Sequence, residues 1–270
     1  MNVAFWKMHG AGNDFILVND RREEFPCFDT GLVRWLCARN TGIGSEGLIL
    51  IRPSTSASFR MLFFNPDGSR GEMCGNGARC AARLVNDMGL APAQMTIETD
   101  AGLVRAGIEG DGVRLHLPPP SDWRLPQPLA VPGLQGLCHF INTGVPHAVI
   151  ETSALDSVNL QELGPAIRHH PAFAPRGTNV NFMTVTGADA LRLRTYERGV
   201  EAETPACGTG SVACALVAGR LGKVRTPVRV TCARGDVLEV DYRLSAAGAD
   251  GVTLLGSAVL VFEGRIELPG

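Results

Sequence analysis

Apolar residues fall along this chain in short runs broken by glycine, proline and turn residues, and only a few stretches carry helical spacing. The first spans about Thr30 to Arg39, with Leu32, Val33, Leu36 and Cys37 on one face and Asp29 or Thr30 as N-cap. The second spans about Gly75 to Asp87, where Gly89 is placed to end it. A third covers about Leu160 to His169, and a fourth runs from about Gly208 to Arg220, stopped by Gly222. Between them lie runs typical of strands: Leu48–Arg52, Phe59–Phe64, Met95–Thr99, Leu103–Ile108, Val113–Leu117, Val180–Val185, Leu191–Thr195, Val228–Cys232, Val237–Asp241 and Ala258–Phe262. Asp100-Ala101-Gly102 and Arg234-Gly235-Asp236 read as hairpin turns.

The order of these elements repeats. In each half, strands lead to a glycine-opened helix, then to a strand, a hairpin and further strands, which predicts a duplication at domain scale. Pro118-Pro119-Pro120, continued by Pro126 and Pro128, reads as the linker, because proline cannot donate to a sheet ladder and strands are expected to stop there. The predicted fold class is α/β (α+β), with a first domain at 1–117 and a second at 118–262.

Composition narrows the class. Of 270 residues, 45% are hydrophobic and 19% charged, enough apolar material for real cores and too much for disorder. A net charge of −2, with acids and bases spread along the chain, argues against a nucleic-acid surface or a polybasic membrane patch. The N-terminus lacks the basic and apolar pattern of a signal peptide, and no apolar stretch is long enough to span a bilayer. Eight cysteines in such a chain read as reduced, cytoplasmic thiols.

Two of those cysteines sit in nearly the same phrase. Cys74 lies in E-M-C-G-N-G-A-R-C-A and Cys207 in T-P-A-C-G-T-G-S-V-A-C-A, each opening a predicted helix. A thiol there lies beside unpaired backbone N–H groups and the positive end of a helix dipole, which attract an anion and are expected to lower a cysteine pKa. A pair of such thiols can take a proton from one side of a carbon and return one from the other. Cys27, Cys37, Cys138 and Cys232 read as small buried hydrophobes, and Cys80 and Cys214 as core residues of the helices. The cysteine spacings do not suit zinc, so no metal is expected. Gly42-Ile43-Gly44-Ser45-Glu46-Gly47 matches G-x-G-x-x-G, but a helix precedes it and a strand follows, the wrong order for a dinucleotide site. Asn13, Asn65, Asn76, Asn142, Asn179 and Asn181 are read in or beside turns, as donors and acceptors for a polar substrate. Glu197-Arg198 suits the ammonium and carboxylate of an amino acid. His147, after Gly144-Val145-Pro146, is a candidate to polarise a thiol.

These residues closely resemble the diaminopimelate epimerases over nearly the whole chain. The resemblance rests on Lys7-Met8-His9-Gly10-Ala11-Gly12-Asn13-Asp14-Phe15, Phe64-Asn65-Pro66-Asp67-Gly68-Ser69, Cys74-Gly75-Asn76-Gly77-Ala78-Arg79, Gly144-Val145-Pro146-His147, Tyr196-Glu197-Arg198-Gly199 and Ala206-Cys207-Gly208-Thr209-Gly210. It implies two pseudo-symmetric domains, each a mostly antiparallel sheet or barrel around a central helix, with a C-terminal tail, 263–270, that packs with the first domain. It implies an epimerase that needs no cofactor and interconverts LL- and meso-diaminopimelate for lysine and peptidoglycan synthesis, with a homodimer common for such enzymes. By resemblance, Cys74 and Cys207 are the acid/base pair. Asn13, Asn65, Asn179 and Arg198 hold substrate, together with Gly75-Asn76 and Gly208-Thr209, while His147 and Glu197 support the thiols. Glu197 is also expected on the substrate. The chain departs from some members at Val145, where they carry Asn and where Asn142 is the nearest substitute, and at Gly47, where they carry Gln. Two alternatives stand beside this expectation: a racemase of proline, hydroxyproline or histidine, and a thiol redox sensor switching through a Cys74–Cys207 disulfide.

Overall fold

The computed structural model describes residues 1–269. They divide into unit 1, Met1–His116 together with the residues from Leu255 on, and unit 2, Leu117–Leu254. Unit 1 carries β1 (Asn2–Gly10), β2 (Asn13–Asn19), α1 (Thr30–Cys37), β3 (Leu48–Arg52), β4 (Phe59–Phe64), β5 (Arg70–Gly71), α2 (Gly75–Asp87), β6 (Gln94–Thr99), β7 (Gly102–Glu109) and β8 (Gly112–His116). Unit 2 carries β9 (Ser121–Gln127), β10 (Cys138–Asn142), β11 (Pro146–Glu151), α3 (Leu160–Arg168), β12 (Asn179–Gly187), β13 (Ala190–Glu197), β14 (Ala202–Thr204), α4 (Gly208–Arg220), β15 (Val228–Thr231) and β16 (Val237–Ser245). β17 (Gly248–Ser257) returns the chain to unit 1, where β18 (Val259–Glu267) follows. The return begins at Leu255, earlier than the 263–270 tail expected from sequence.

The pairing pattern is the same in both units. In unit 1, β1 and β2 are antiparallel, β2 and β3 parallel, β3 and β4 antiparallel. β4 then pairs antiparallel with β5 at one end and parallel with β6 at the other, and β6 pairs antiparallel with β7. In unit 2, β10, β11, β12, β13, β14, β15 and β16 repeat those relations one for one. Each parallel pair needs a crossover, and helices supply them. α1 joins β2 to β3 and α3 joins β11 to β12, while α2 and α4 lie on the second crossover of each unit.

Both faces of the sheet strands are covered, which is why runs such as Leu48–Arg52 are continuously apolar rather than alternating. On one face of unit 1, Ile16, Val18, Leu48, Leu50, Leu62 and Phe64 pack with Leu32, Val33 and Leu36 of α1. On the matching face of unit 2, Ala148, Ile150, Val180, Phe182 and Tyr196 pack with Leu160 and Ile167 of α3. Successive strand residues point oppositely, so Phe15, Ile49 and Phe63 in unit 1, and His147, Asn181 and Thr195 in unit 2, belong to the other face. That face meets the central helix: a Cβ built on Gly77 of α2 would stand 2.7 Å from Ile49 Cδ1, and one on Gly210 of α4 2.4 Å from Asn181 Oδ1. α2 and α4 are buried on nearly every side, from Asn76 to Ala82 and from Gly210 to Ala218. Small Gly, Ala and Cys residues dominate both, as a helix enclosed by a sheet requires.

Two expectations need correction. The proline-rich segment does not end strand structure, because β9 runs through it and pairs with β10. Its register shifts twice, and Pro126 falls in the irregular step between the paired residues Arg124 and Gln127, where a missing N–H costs no ladder bond. Asn181 lies inside β12, not in or beside a turn, while Asn179 opens that strand directly after a loop. The G-x-G-x-x-G segment is a packed loop after α1, and Gly47 is required there because a Cβ would stand 2.6 Å from the Phe63 ring.

Burial of the central helices makes truncations along them costly. Leu216→Ala, at a fully buried site in α4, is expected to cost about 3 kcal/mol, whereas Leu103→Ala on exposed β7 is expected to stay within about 0.5 kcal/mol. Urea denaturation followed by circular dichroism measures both.

Candidate active site

Cys74 and Cys207 occupy equivalent backbone positions. Each is the N-cap of a helix of 13 residues, with φ −135° and ψ 118° at Cys74 and φ −121° and ψ 109° at Cys207. Neither side chain makes a full capping hydrogen bond, so the first-turn N–H groups stay available, with the Gly210 N–H favouring ionisation of Cys207. The cap carbonyls close the first turns, accepting from Ala78 N–H at 2.8 Å and from Ser211 N–H at 2.9 Å. At Gly75, a Cβ would meet only Leu115 Cδ1 at 4.0 Å, so packing does not demand glycine there. Its missing side chain instead leaves the helix start open to close approach.

The start of α2 is wired from behind. Asn76 Oδ1 accepts from Arg79 Nη2 at 2.8 Å, and Arg79 Nε donates to Ser257 O at 3.2 Å. Arg79 is completely enclosed. Gly10, at the end of β1, lies so close that a Cβ would stand 3.0 Å from Asn76 O. Opposite Gly10 in the ladder is Asn13, whose buried Oδ1 has no hydrogen-bond partner among the described residues. Asn65 belongs to the turn after β4: its N–H donates to Ser69 O at 2.8 Å and its Nδ2 to Ser69 Oγ at 3.0 Å. Cys74 itself is half-buried.

Around α4 the second set of residues forms one connected group. Cys207 Sγ lies 3.6 Å from Thr209 Oγ1, and Thr143 Oγ1 donates to Thr209 O at 2.9 Å. Asn179, buried, donates from Nδ2 to Pro146 O at 3.1 Å and accepts at Oδ1 from Arg198 N–H at 2.8 Å. Asn142 Oδ1 accepts from Gly144 N–H at 3.0 Å, an engagement with its own turn. The Arg198 guanidinium has no ion pair among the described residues, since Glu201 is taken by Arg168 at 3.1 Å. Thr195 and Arg79 are the contributors that sequence reasoning passed over. Their only signal is a polar side chain on the helix-facing side of an apolar strand, or inside a small-residue helix. Asn181, read from sequence as a substrate contact at a turn, instead bonds to His147, Ala148 and Thr195.

Charge states follow from burial. The Cys207 thiol is pushed up, first by burial and then by the Glu197 carboxylate, against the Thr209 hydroxyl and the Gly210 N–H. This corrects the expectation that the helix start acidifies it, because desolvation of an enclosed sulfur outweighs the dipole. His147 is pulled down to about 3, first by burial and then by Arg198, so its ring is neutral. Arg198 is lowered by burial and by its like-charged neighbours Arg168 and Arg176.

A family model described as diaminopimelate epimerase matches residues 5–119 and 139–261. Among curated proteins, a diaminopimelate epimerase of Aquifex aeolicus is 44% identical over 277 residues, covering 98% of this chain and 98% of that protein. A diaminopimelate epimerase of Chlorobaculum tepidum is 44% identical over 268 residues, covering 97% and 100%. Among solved structures, a Bacillus anthracis phenazine biosynthesis protein of the PhzF family superposes with a TM-score of 0.77 at 15% identity, over 99% of this chain and 100% of that one. A hydroxyproline epimerase of Agrobacterium vitis, with bound trans-4-hydroxy-L-proline, superposes with a TM-score of 0.72 at 18% identity, over 98% and 92%. These structural likenesses concern the fold.

A raised pKa leaves less thiolate at a given pH. Without substrate at pH 8, Cys207 is therefore expected to react with iodoacetamide more slowly than free cysteine. Glu197→Gln removes a charge that opposes ionisation and is expected to speed that alkylation. Peptide mass spectrometry over a time course measures both rates.

Proposed function

The chain belongs to the diaminopimelate epimerase family, and from that membership we propose that it interconverts LL- and meso-2,6-diaminopimelate with Cys74 and Cys207 as a two-base pair. What carries the assignment is the duplicated helix start, a cysteine N-cap followed by an uncapped first turn, present once in each unit. Inversion at a carbon needs a base that removes the α-proton and an acid that delivers another to the opposite face. A thiolate and a thiol supply these, and they exchange roles in the reverse direction. Burial favours the protonated form of Cys207, which is the acid form, and makes its thiolate a stronger base once formed. Because one thiol must be ionised and the other protonated, the pair titrates as a unit and activity is bell-shaped in pH.

The α-carbon between an ammonium and a carboxylate is a weak acid, so negative charge developing on the carboxylate must be met by fixed donors. N–H groups of Gly75-Asn76 and Gly208-Thr209 are such donors, aligned with their helix dipoles. Asn13, with a buried acceptor lacking a donor, suits an ammonium, and Asn65 lies in the same unit as a further polar contact. Arg198, half-buried without an ion pair and beside like charges, suits a carboxylate, and its backbone is held by Asn179. Glu197 adds a carboxylate for the substrate's second ammonium and, with His147, tunes Cys207. Lys7 is engaged with Asp14 at 2.5 Å and Lys223 with Glu151.

A homodimer in the cytoplasm belongs to the same proposal. Supporting it are the exposed apolar run Val259, Leu260, Val261 and Phe262 on β18, a surface that water disfavours, and eight free thiols suited to a reducing compartment. No helix of the described residues is long and apolar enough to cross a membrane.

Cys74→Ala and Cys207→Ala are each expected to lower epimerisation of diaminopimelate by about a thousandfold or more. In heavy water, the wild-type product is expected to carry deuterium at Cα while the unreacted isomer at early times does not. Retained epimerisation in either folded variant, read by chiral chromatography, rejects the pair. Phe262→Glu is expected to give a monomer by analytical ultracentrifugation.

A further inference from the structure

The two units place different chemistry behind otherwise equivalent helix starts. In unit 1 the strand positions facing the central helix are Phe15, Ile49 and Phe63. Ile49 and Phe63 are ladder partners, and the rings of Phe15 and Phe63 meet edge to face at 6.2 Å. In unit 2 the equivalent positions are His147, Asn181 and Thr195, with Asn181 and Thr195 as ladder partners. All six are buried. Hydrocarbon is thus sufficient to fill this layer, and a polar trio there carries a desolvation cost that packing alone does not explain.

We propose that Asn181, assisted by Thr195, is a positioning residue for the reaction assigned above: it fixes the ring proton of His147 on Nε2 and holds the first turn of α4 that carries Cys207. The inference rests on that assignment of the reaction. Its geometry is constrained at every polar atom of the amide. Nδ2 lies 2.9 Å from Ala148 O, which can only accept, so the nitrogen must face it. The second amide hydrogen is then directed at His147 Nδ1, 3.1 Å away. Nδ1 must therefore be the unprotonated ring nitrogen, and the ring, neutral in this enclosed place, carries its hydrogen on Nε2. Oδ1 accepts from Thr195 Oγ1 at 2.9 Å, which locks the amide against flipping. His147 Nε2–H is a buried donor with no partner among the described residues. The tautomer that Asn181 selects thus keeps a donor, rather than a lone pair, for negative charge that arises beside the buried ring.

The same amide oxygen lies against the helix start. A Cβ at Gly210 would stand 2.4 Å from Asn181 Oδ1 and 3.3 Å from Cys207 Sγ. Gly210 also supplies the N–H that favours the Cys207 thiolate. A shift of Asn181 therefore moves the donor to the sulfur as well as the histidine tautomer.

Nitrogen-15 correlation spectra of the full chain, labelled at histidine and free of substrate, test the proposal directly. The His147 resonances are identified by their loss in His147→Gln. The expected result is a ring protonated on Nε2 alone. In Asn181→Asp the carboxylate accepts instead of donating, so the ring proton is expected at Nδ1, with kcat reduced about a hundredfold and KM little changed. Thr195→Val keeps both amide donors, so the Nε2–H tautomer is expected to persist with a smaller loss of kcat. A wild-type ring protonated on Nδ1 overturns the proposal whether or not the variants fold, as does a folded Asn181→Asp with wild-type kcat. Because the spectrum needs no substrate, an Nε2–H ring in a protein that does not turn over diaminopimelate would instead fault the reaction assignment.

Discussion

A helix enclosed by a sheet on nearly all sides can offer only its end to a ligand, and this constraint organises both units. The enclosure demands small side chains along α2 and α4, hence the glycines, alanines and cysteines there. It also leaves the N-terminal turn as the place where uncompensated N–H groups and reactive side chains coincide. Substrate chemistry at such a turn needs no additional scaffold, because the packing that stabilises the fold also aims the dipole.

The enclosure has an opposing effect on the thiols it presents. A helix start favours a thiolate, but removing the sulfur from water favours the neutral thiol, and at Cys207 the second effect dominates. Its remedies are local: the Thr209 hydroxyl and the Gly210 N–H both stabilise the ion. A sulfur balanced in this way stays protonated until charge around it changes, which is what the proposed two-base role asks of it. Burial holds Cys80 and Cys214, one turn and more into the helices, as thiols, even though the Arg79 charge and a backbone N–H favour ionisation at Cys80.

Much of this was readable in the amino-acid order. α2 and α4 start and stop where their glycines indicated, and β3 and β4 match their apolar runs residue for residue. The cysteine pair was visible because one phrase occurs twice. β1, β2, β10 and β11 were missed because they mix buried polar residues such as Lys7 and His147 with apolar ones, which blurs both alternation and continuity. β9 was missed because Pro126 masks a strand whose register is irregular. Asn181 reads from sequence only as one more polar residue near a turn, because its meaning depends on which helix its strand face covers, and that is set by a ladder between distant segments.

The repeated pairing pattern joins two near-copies in a single polypeptide, and that covalent arrangement has a consequence of its own. Were one copy to assemble with itself, both halves would be identical, and every polar substitution would appear twice. In one continuous chain, Phe15 can remain a phenylalanine while its counterpart becomes His147. The halves are also always produced in equal amounts. Tandem fusion thereby lets two like units specialise separately, the strands against one central helix being hydrocarbon and those against the other carrying hydrogen-bonding groups.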